Sequence, residues 1–115
     1  MNWLVLLSFS LFPLFSLGRV DSMNDEVDFL ISSVGKDGCS FIRNGKKYTR
    51  RDAQTHLKSK RRRNAHLIGS TEEFIDKIAS KSATSGKPYL ISCKGENQQD
   101  AGEWLTALLA QRRKL

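Results

Sequence analysis

Two side chains able to move a proton lie one helical turn apart, His56 and Lys60. Histidine titrates near neutrality, and a lysine held out of water is drawn toward it. Tyr48 and Ser85 could add hydroxyl groups, so Tyr48, His56, Lys60 and Ser85 make a candidate polar cluster. Its catalytic version is a small hydrolase with His56 as general base. Its structural version is a histidine that bonds a loop carbonyl and a lysine whose stem lies over the core. The structural role is the expected one, because the spacing places no nucleophile beside the pair. No residue is assigned as catalytic.

The second candidate chemistry is charge. Lysine and arginine outnumber aspartate and glutamate by 19 to 12, for a net charge of +7. On a helix starting at Arg50, the side chains of Arg50, Arg51, Lys58, Arg61 and Arg62 fall within an arc of about 120°. Such an arc is a solvated face or a contact surface for a polyanion. No aromatic residue is interleaved with it, so base stacking has no platform. The binding it supports is salt-sensitive contact with nucleic-acid phosphates or anionic headgroups.

Three other spacings do not carry the chemistry they suggest. Ser85-Gly86-Lys87 lacks the upstream glycine of a phosphate loop, and Pro88 blocks the helix that should follow. Ser33-x-x-Lys36 has the serine–lysine spacing of penicillin-recognising enzymes without their other motifs. Cys39, Cys93, His56 and His66 lack the close ligand pairs of a zinc site. No metal and no cofactor are expected.

Residues 3–17 are almost wholly apolar, too short for a bilayer span and suited to the core of a signal peptide. Ser16 and Gly18 place small residues at the −3 and −1 positions of a cleavage site. The expected organisation is a signal peptide over 1–18 and one small domain over 19–115, periplasmic or secreted, with no membrane span after processing. Cleavage of 18 of the 115 residues leaves 97, a size whose stability is marginal. Two cysteines in an exported chain point to a disulfide. Bridging Cys39 to Cys93 closes a loop of about 55 residues, worth roughly 4 kcal/mol in the chain-entropy model. The two Cα atoms are then expected about 4.4–6.8 Å apart.

The elements that must position these residues can be read from periodicity. Val27, Leu30, Ile31 and Val34 form the apolar stripe of a first helix. Asn44-Gly45 is a two-residue hairpin turn, which sets Arg43 opposite Lys46, Ile42 opposite Lys47 and Phe41 opposite Tyr48. Thr49 caps a helix to about Asn64, with Ala53, His56, Leu57 and Lys60 on its packing side or edge. Ser70-x-x-Glu73 is a capping box that opens a helix to about Ser80. A strand over 87–93 places Tyr89, Ile91 and Cys93 on one face. After a loop over 94–99, Asp100 caps the last helix, with Trp104, Leu105, Leu108 and Leu109 inward. The expected fold is α+β: a small three-stranded antiparallel sheet with four helices, in the order α-β-β-α-α-β-α.

These segments carry a resemblance. The run Gly38-Cys39-Ser40-Phe41-Ile42-Arg43-Asn44-Gly45 is its most specific part. Tyr48-Thr49 follows, with Ala53, His56, Leu57 and Lys60. Then come Phe74-Ile75, Ile78-Ala79-Ser80, Ser82 and Ser85-Gly86-Lys87-Pro88-Tyr89-Leu90, and finally Cys93 and Trp104-Leu105. Over about residues 25–109 the chain resembles the secreted bacterial family called domain of unknown function 5329. The resemblance implies an exported bacterial domain with paired cysteines, and it implies no activity. The expected function is a non-enzymatic binding or interaction domain whose partner is a protein or a cell-envelope component. The alternatives are a polyanion binder acting through the basic helix face and a small hydrolase using His56.

Processing gives the first test. The exported protein should begin at Arg19, as intact-mass measurement of the mature form would show; a membrane-bound form that keeps the leader would contradict it.

Overall fold

The computed structural model describes residues 21–115, so the leader and its cleavage site lie outside the described residues. Helix α1 spans Met23–Ser33, and the Ser22 hydroxyl caps it by accepting from the Asp25 amide. Strands β1 (Cys39–Arg43) and β2 (Lys46–Tyr48) form the hairpin in the register read from the sequence. Asn44 and Gly45 sit at φ 50° and 78°, the two left-handed positions of a tight hairpin turn. Phe41 and Tyr48 meet edge to face, with ring centres 6.0 Å apart.

Helix α2 runs Arg50–Arg63 behind its Thr49 cap. Helix α3 begins at Thr71 on the Ser70 cap and continues beyond Phe74 as a π-helical segment, Ile75–Ala79. Strand β3 is Leu90–Cys93, and helix α4 is Ala101–Arg113, capped by Asp100. Gly35 is held at φ 79° where the turn after α1 presses on α2. A Cβ there would lie 2.6 Å from the Arg50 Cα, so only glycine fits.

The sheet has four strands, where the sequence suggested three. Gln99–Asp100 forms strand β4, antiparallel to β3, in the order β2-β1-β3-β4. A two-residue strand of Gln and Asp has neither alternation nor β-propensity to announce it. It exists because the chain returns alongside β3, and Asp100 serves both as sheet edge and as helix cap. The third strand is also shorter than expected. Before Leu90 the chain pairs with the preceding loop: Ser82 N–H donates to the Lys87 carbonyl and Tyr89 N–H to the Ser80 carbonyl.

Cys39 and Cys93 are bonded and face each other across β1 and β3. Their Cα atoms are 3.9 Å apart, closer than the expected window. The Lys94 N–H to Gly38 carbonyl bond frames this position from outside, which makes it a narrow, non-hydrogen-bonded pair. The core fills the space between the sheet and the helices, with Leu30, Phe41, Leu57, Phe74, Ile78, Tyr89, Ile91 and Leu105 all nearly free of solvent. Trp104 and Leu108 are only partly buried.

One carboxylate lies inside this packing. Glu26, 6% exposed, accepts from the Thr71 hydroxyl at 2.7 Å and from Arg113 at 2.8 and 2.9 Å. The Arg113 hydrogen bonds hold its pKa at about 2, against an ordinary value of 4.5, and outweigh the cost of burial. A depressed carboxylate contributes stability above its unfolded pKa and loses it on acidification. Acid titration followed by circular dichroism should therefore show stability falling from pH 4.5 toward 2. Glu26→Gln should remove that part of the profile and cost about 1–3 kcal/mol at neutral pH.

Candidate functional site

The hairpin, α2 and the first residues before β3 converge on one hydroxyl. Tyr89 is 1% exposed, and its phenol oxygen is the centre of a polar cluster. Lys60, 5% exposed, donates its ammonium to that oxygen at 3.1 Å and to the Lys81 carbonyl at 2.8 Å. His56 Nε2 lies 3.1 Å from the same oxygen. On the hairpin side, Arg43 Nη1 donates to the Tyr48 hydroxyl at 2.8 Å. His56 lies one turn before Lys60 on α2, which is why both reach Tyr89.

The proton positions follow from what each group is able to do. An ammonium only donates, so the Tyr89 oxygen accepts from Lys60. All three groups are satisfied when Tyr89 donates its own proton to a bare Nε2 of neutral His56. Burial, first, and the charges of Arg43, Lys60 and Arg63 push the His56 pKa below its ordinary value, in agreement with that assignment. Burial and the neighbouring cations Arg43, Arg63 and Lys81 bring Lys60 down to about 8. Burial pushes Tyr89 up.

Among the described residues the cluster has no paired counter-charge. Arg43, Lys60, Arg63 and Lys81 take part in none of the ion pairs among the described residues. Arg43 Nε is buried without a hydrogen-bond partner among the described residues. Among the described residues no group of histidine, cysteine and carboxylates could hold a metal ion.

Of the residues singled out from the sequence, Tyr48, His56 and Lys60 meet here. Ser85 stays at the edge. Its hydroxyl donates to Asn44 Oδ1 and accepts from the Lys87 amide, which ties the loop to the hairpin turn. Arg43 and Tyr89 were missed as site residues. The alternation Cys39, Phe41, Arg43 does put a charged side chain on the inward face, and that was the available signal.

The basic arc divides between exposed residues and one that packs. Arg50, Arg51, Lys58 and Arg62 are exposed. Arg50, Arg51 and Lys58 line a shallow hollow of about 540 Å³. Arg61 departs from the arc's free character: it pairs with Asp28 at 2.7 Å and donates to Asn24 at 2.8 Å, so it fastens α2 to α1. Helical periodicity gives a residue's angle but not the neighbour that waits there.

With this geometry in hand, comparison with known proteins is decisive on kinship. A family model described as "Family of unknown function (DUF5329)" matches residues 21–113. The chain belongs to this family. The segments that carried the DUF5329 resemblance supply Arg43, Tyr48, His56, Lys60 and Tyr89, which fold into one cluster. Among curated proteins, the uncharacterized protein YfeK of Salmonella typhimurium is 41% identical over 54 residues. The match covers 47% of this chain and 45% of that protein, so the chain spans about half the length of this relative. No solved structure matches.

Removing the central hydroxyl tests the network. Tyr89→Phe leaves the Lys60 ammonium and His56 Nε2 short of a partner and should cost about 1–3 kcal/mol in denaturant unfolding. Lys60→Met removes one of the charges that depress His56, so an NMR titration should show the His56 pKa moving up. Because His56 titrates below 6.5, its contribution should be complete above that pH and decline as the pH falls through it.

Proposed function

We propose that the protein is an exported, non-enzymatic binding domain that receives an anionic group, a carboxylate or a phosphate, at the Arg43–His56–Lys60 cluster. The observation that carries this reading is the uncompensated charge: buried or half-buried cations gather around Tyr89 and take part in none of the ion pairs among the described residues. Concentrating like charges out of water is unfavourable, and an oxyanion would relieve it. The unpartnered Arg43 Nε–H is a donor such a ligand could satisfy after a small side-chain shift. Arg43, Tyr48 and His56 are part-exposed and form the approach. The partner is then an acidic protein segment or a cell-envelope component bearing such a group.

The hydrolase reading has less support. The His56 Nε2 is committed to Tyr89, whose hydroxyl is too buried to attack a substrate. The Ser85 hydroxyl is bonded to Asn44 and to the Lys87 amide.

A second reading keeps one specific observation, the hollow lined by Arg50, Arg51 and Lys58 on the exposed side of α2. There the ligand would be a polyanion, nucleic acid or anionic headgroups, held by salt-sensitive contacts.

Two variants separate these readings. Inorganic phosphate and acetate, titrated against chloride at matched ionic strength, should raise the melting temperature saturably. Arg43→Gln should weaken the effect about tenfold or more. The triple variant Arg50→Glu, Arg51→Glu and Arg62→Glu should leave it intact. Loss in the triple variant with no change in Arg43→Gln would favour the polyanion surface.

A further inference from the structure

A different part of the surface carries the opposite charge. Helix α4 and the π segment leave a groove of about 660 Å³ between them, and it shares no residue with the cationic cluster. Ile75 and Leu109 form its floor. Along α4, Gly102, Thr106 and Ala110 follow one another at successive turns of the groove wall. Side chains this small let another helix come close, since the separation of packed helices is set by the residues between them. The apolar surface extends past Ala107 and Ala110 to the part-buried Trp104 and Leu108.

The rim is acidic, although the chain carries +7 overall. Glu72, Asp76, Asp100 and Glu103 line it, against Arg113 as the one lining cation. Arg113 is already bonded to Glu26 and Glu72, whereas Asp76 and Glu103 make no ion pair among the described residues.

We propose that this groove docks an amphipathic helix of another protein, apolar along one face and flanked there by lysines or arginines. The apolar face would cover Thr106, Ala107 and Ala110 above the buried floor of Ile75 and Leu109, and the flanking cations would reach Asp76 and Glu103. Charge complementarity selects a basic partner and steers its approach. A second copy of this chain does not supply it through its own basic helix, because α2 already buries its apolar residues Ala53 and Leu57. The inference is independent of the anion site.

The probe is a designed amphipathic peptide of leucine, alanine and lysine, titrated into the isotopically labelled protein and followed by NMR. A control peptide carries glutamate in place of lysine. The lysine peptide should give saturable shifts confined to the amides of Thr106, Ala107 and Ala110 and the indole of Trp104, and the control should give none. Asp76→Lys with Glu103→Lys should weaken binding about tenfold or more. Ala110→Trp and Ala107→Arg, both at exposed positions, should block the groove while the rim carboxylates remain. Arg43→Gln should have no effect. Non-saturating shifts scattered over surface carboxylates, or unchanged binding in both blocking variants, would overturn the proposal.

Discussion

The pairing of β1 with β3 is the constraint on which the other features depend. These strands are separated by two helices and a long loop, so bringing them together has a large loop-closure cost. The Cys39–Cys93 bond sits at one end of the pairing and reduces that cost in the unfolded chain. The register that follows sets Phe41 against Ile91 in the core. It also carries Tyr89, just before β3, to the level of the hairpin end, where its ring packs 4.8 Å from Phe41. Only then is its hydroxyl within reach of Lys60 and His56. Strand β4 is a further consequence, since it has no partner except β3.

Two polar arrangements inside the same small fold handle charge in opposite ways. Glu26 is buried against Thr71 and the Arg113 guanidinium, and Arg113 also takes Glu72, so charge and hydrogen bonds are matched. This joins α1, α3 and α4 through matched polar groups. The Tyr89 cluster matches the hydrogen bonds of Lys60, His56 and Tyr89, but it leaves Arg43 Nε and its charge unmatched among the described residues. Lys60 is anchored by a carbonyl and a phenol, and both are neutral acceptors. A structural clamp for the loop before β3 needs no more than one of these cations. The accumulation of Arg43 and Lys60 around a neutral His56 is what suggests a ligand, in a family that has no assigned function.

Charge is also divided over the outside of the molecule. The exposed side of α2 is basic, and the groove between α4 and the π segment is acidic over an apolar floor. The net charge conceals this division, because it sums two surfaces that would attract different partners.

The local structure was legible in the sequence because its causes are local. Asn44-Gly45 adopts the two left-handed conformations of its turn. Thr49, Ser70 and Asp100 each accept from an amide three residues on, as short polar caps do. The inward stripes of α1, α2 and β3 follow from periods of 3.6 and 2. The pairing of the two cysteines followed from their number and expected compartment. Tertiary structure alone decided the rest. His56 and Lys60 could be placed on one face of a helix, but that their common partner is Tyr89 depends on β3 arriving from far along the chain. Arg61 belonged to a basic arc until α1 brought Asp28 to it. Arg113 lies in the last turn of α4, and packing made it the partner of a buried glutamate. Strand β4 has no sequence signal because only a neighbouring strand makes two residues into one. Periodicity fixes the direction in which a side chain leaves its own element; what it meets is set by elements distant in sequence, and that is where the candidate site and its unbalanced charge arise.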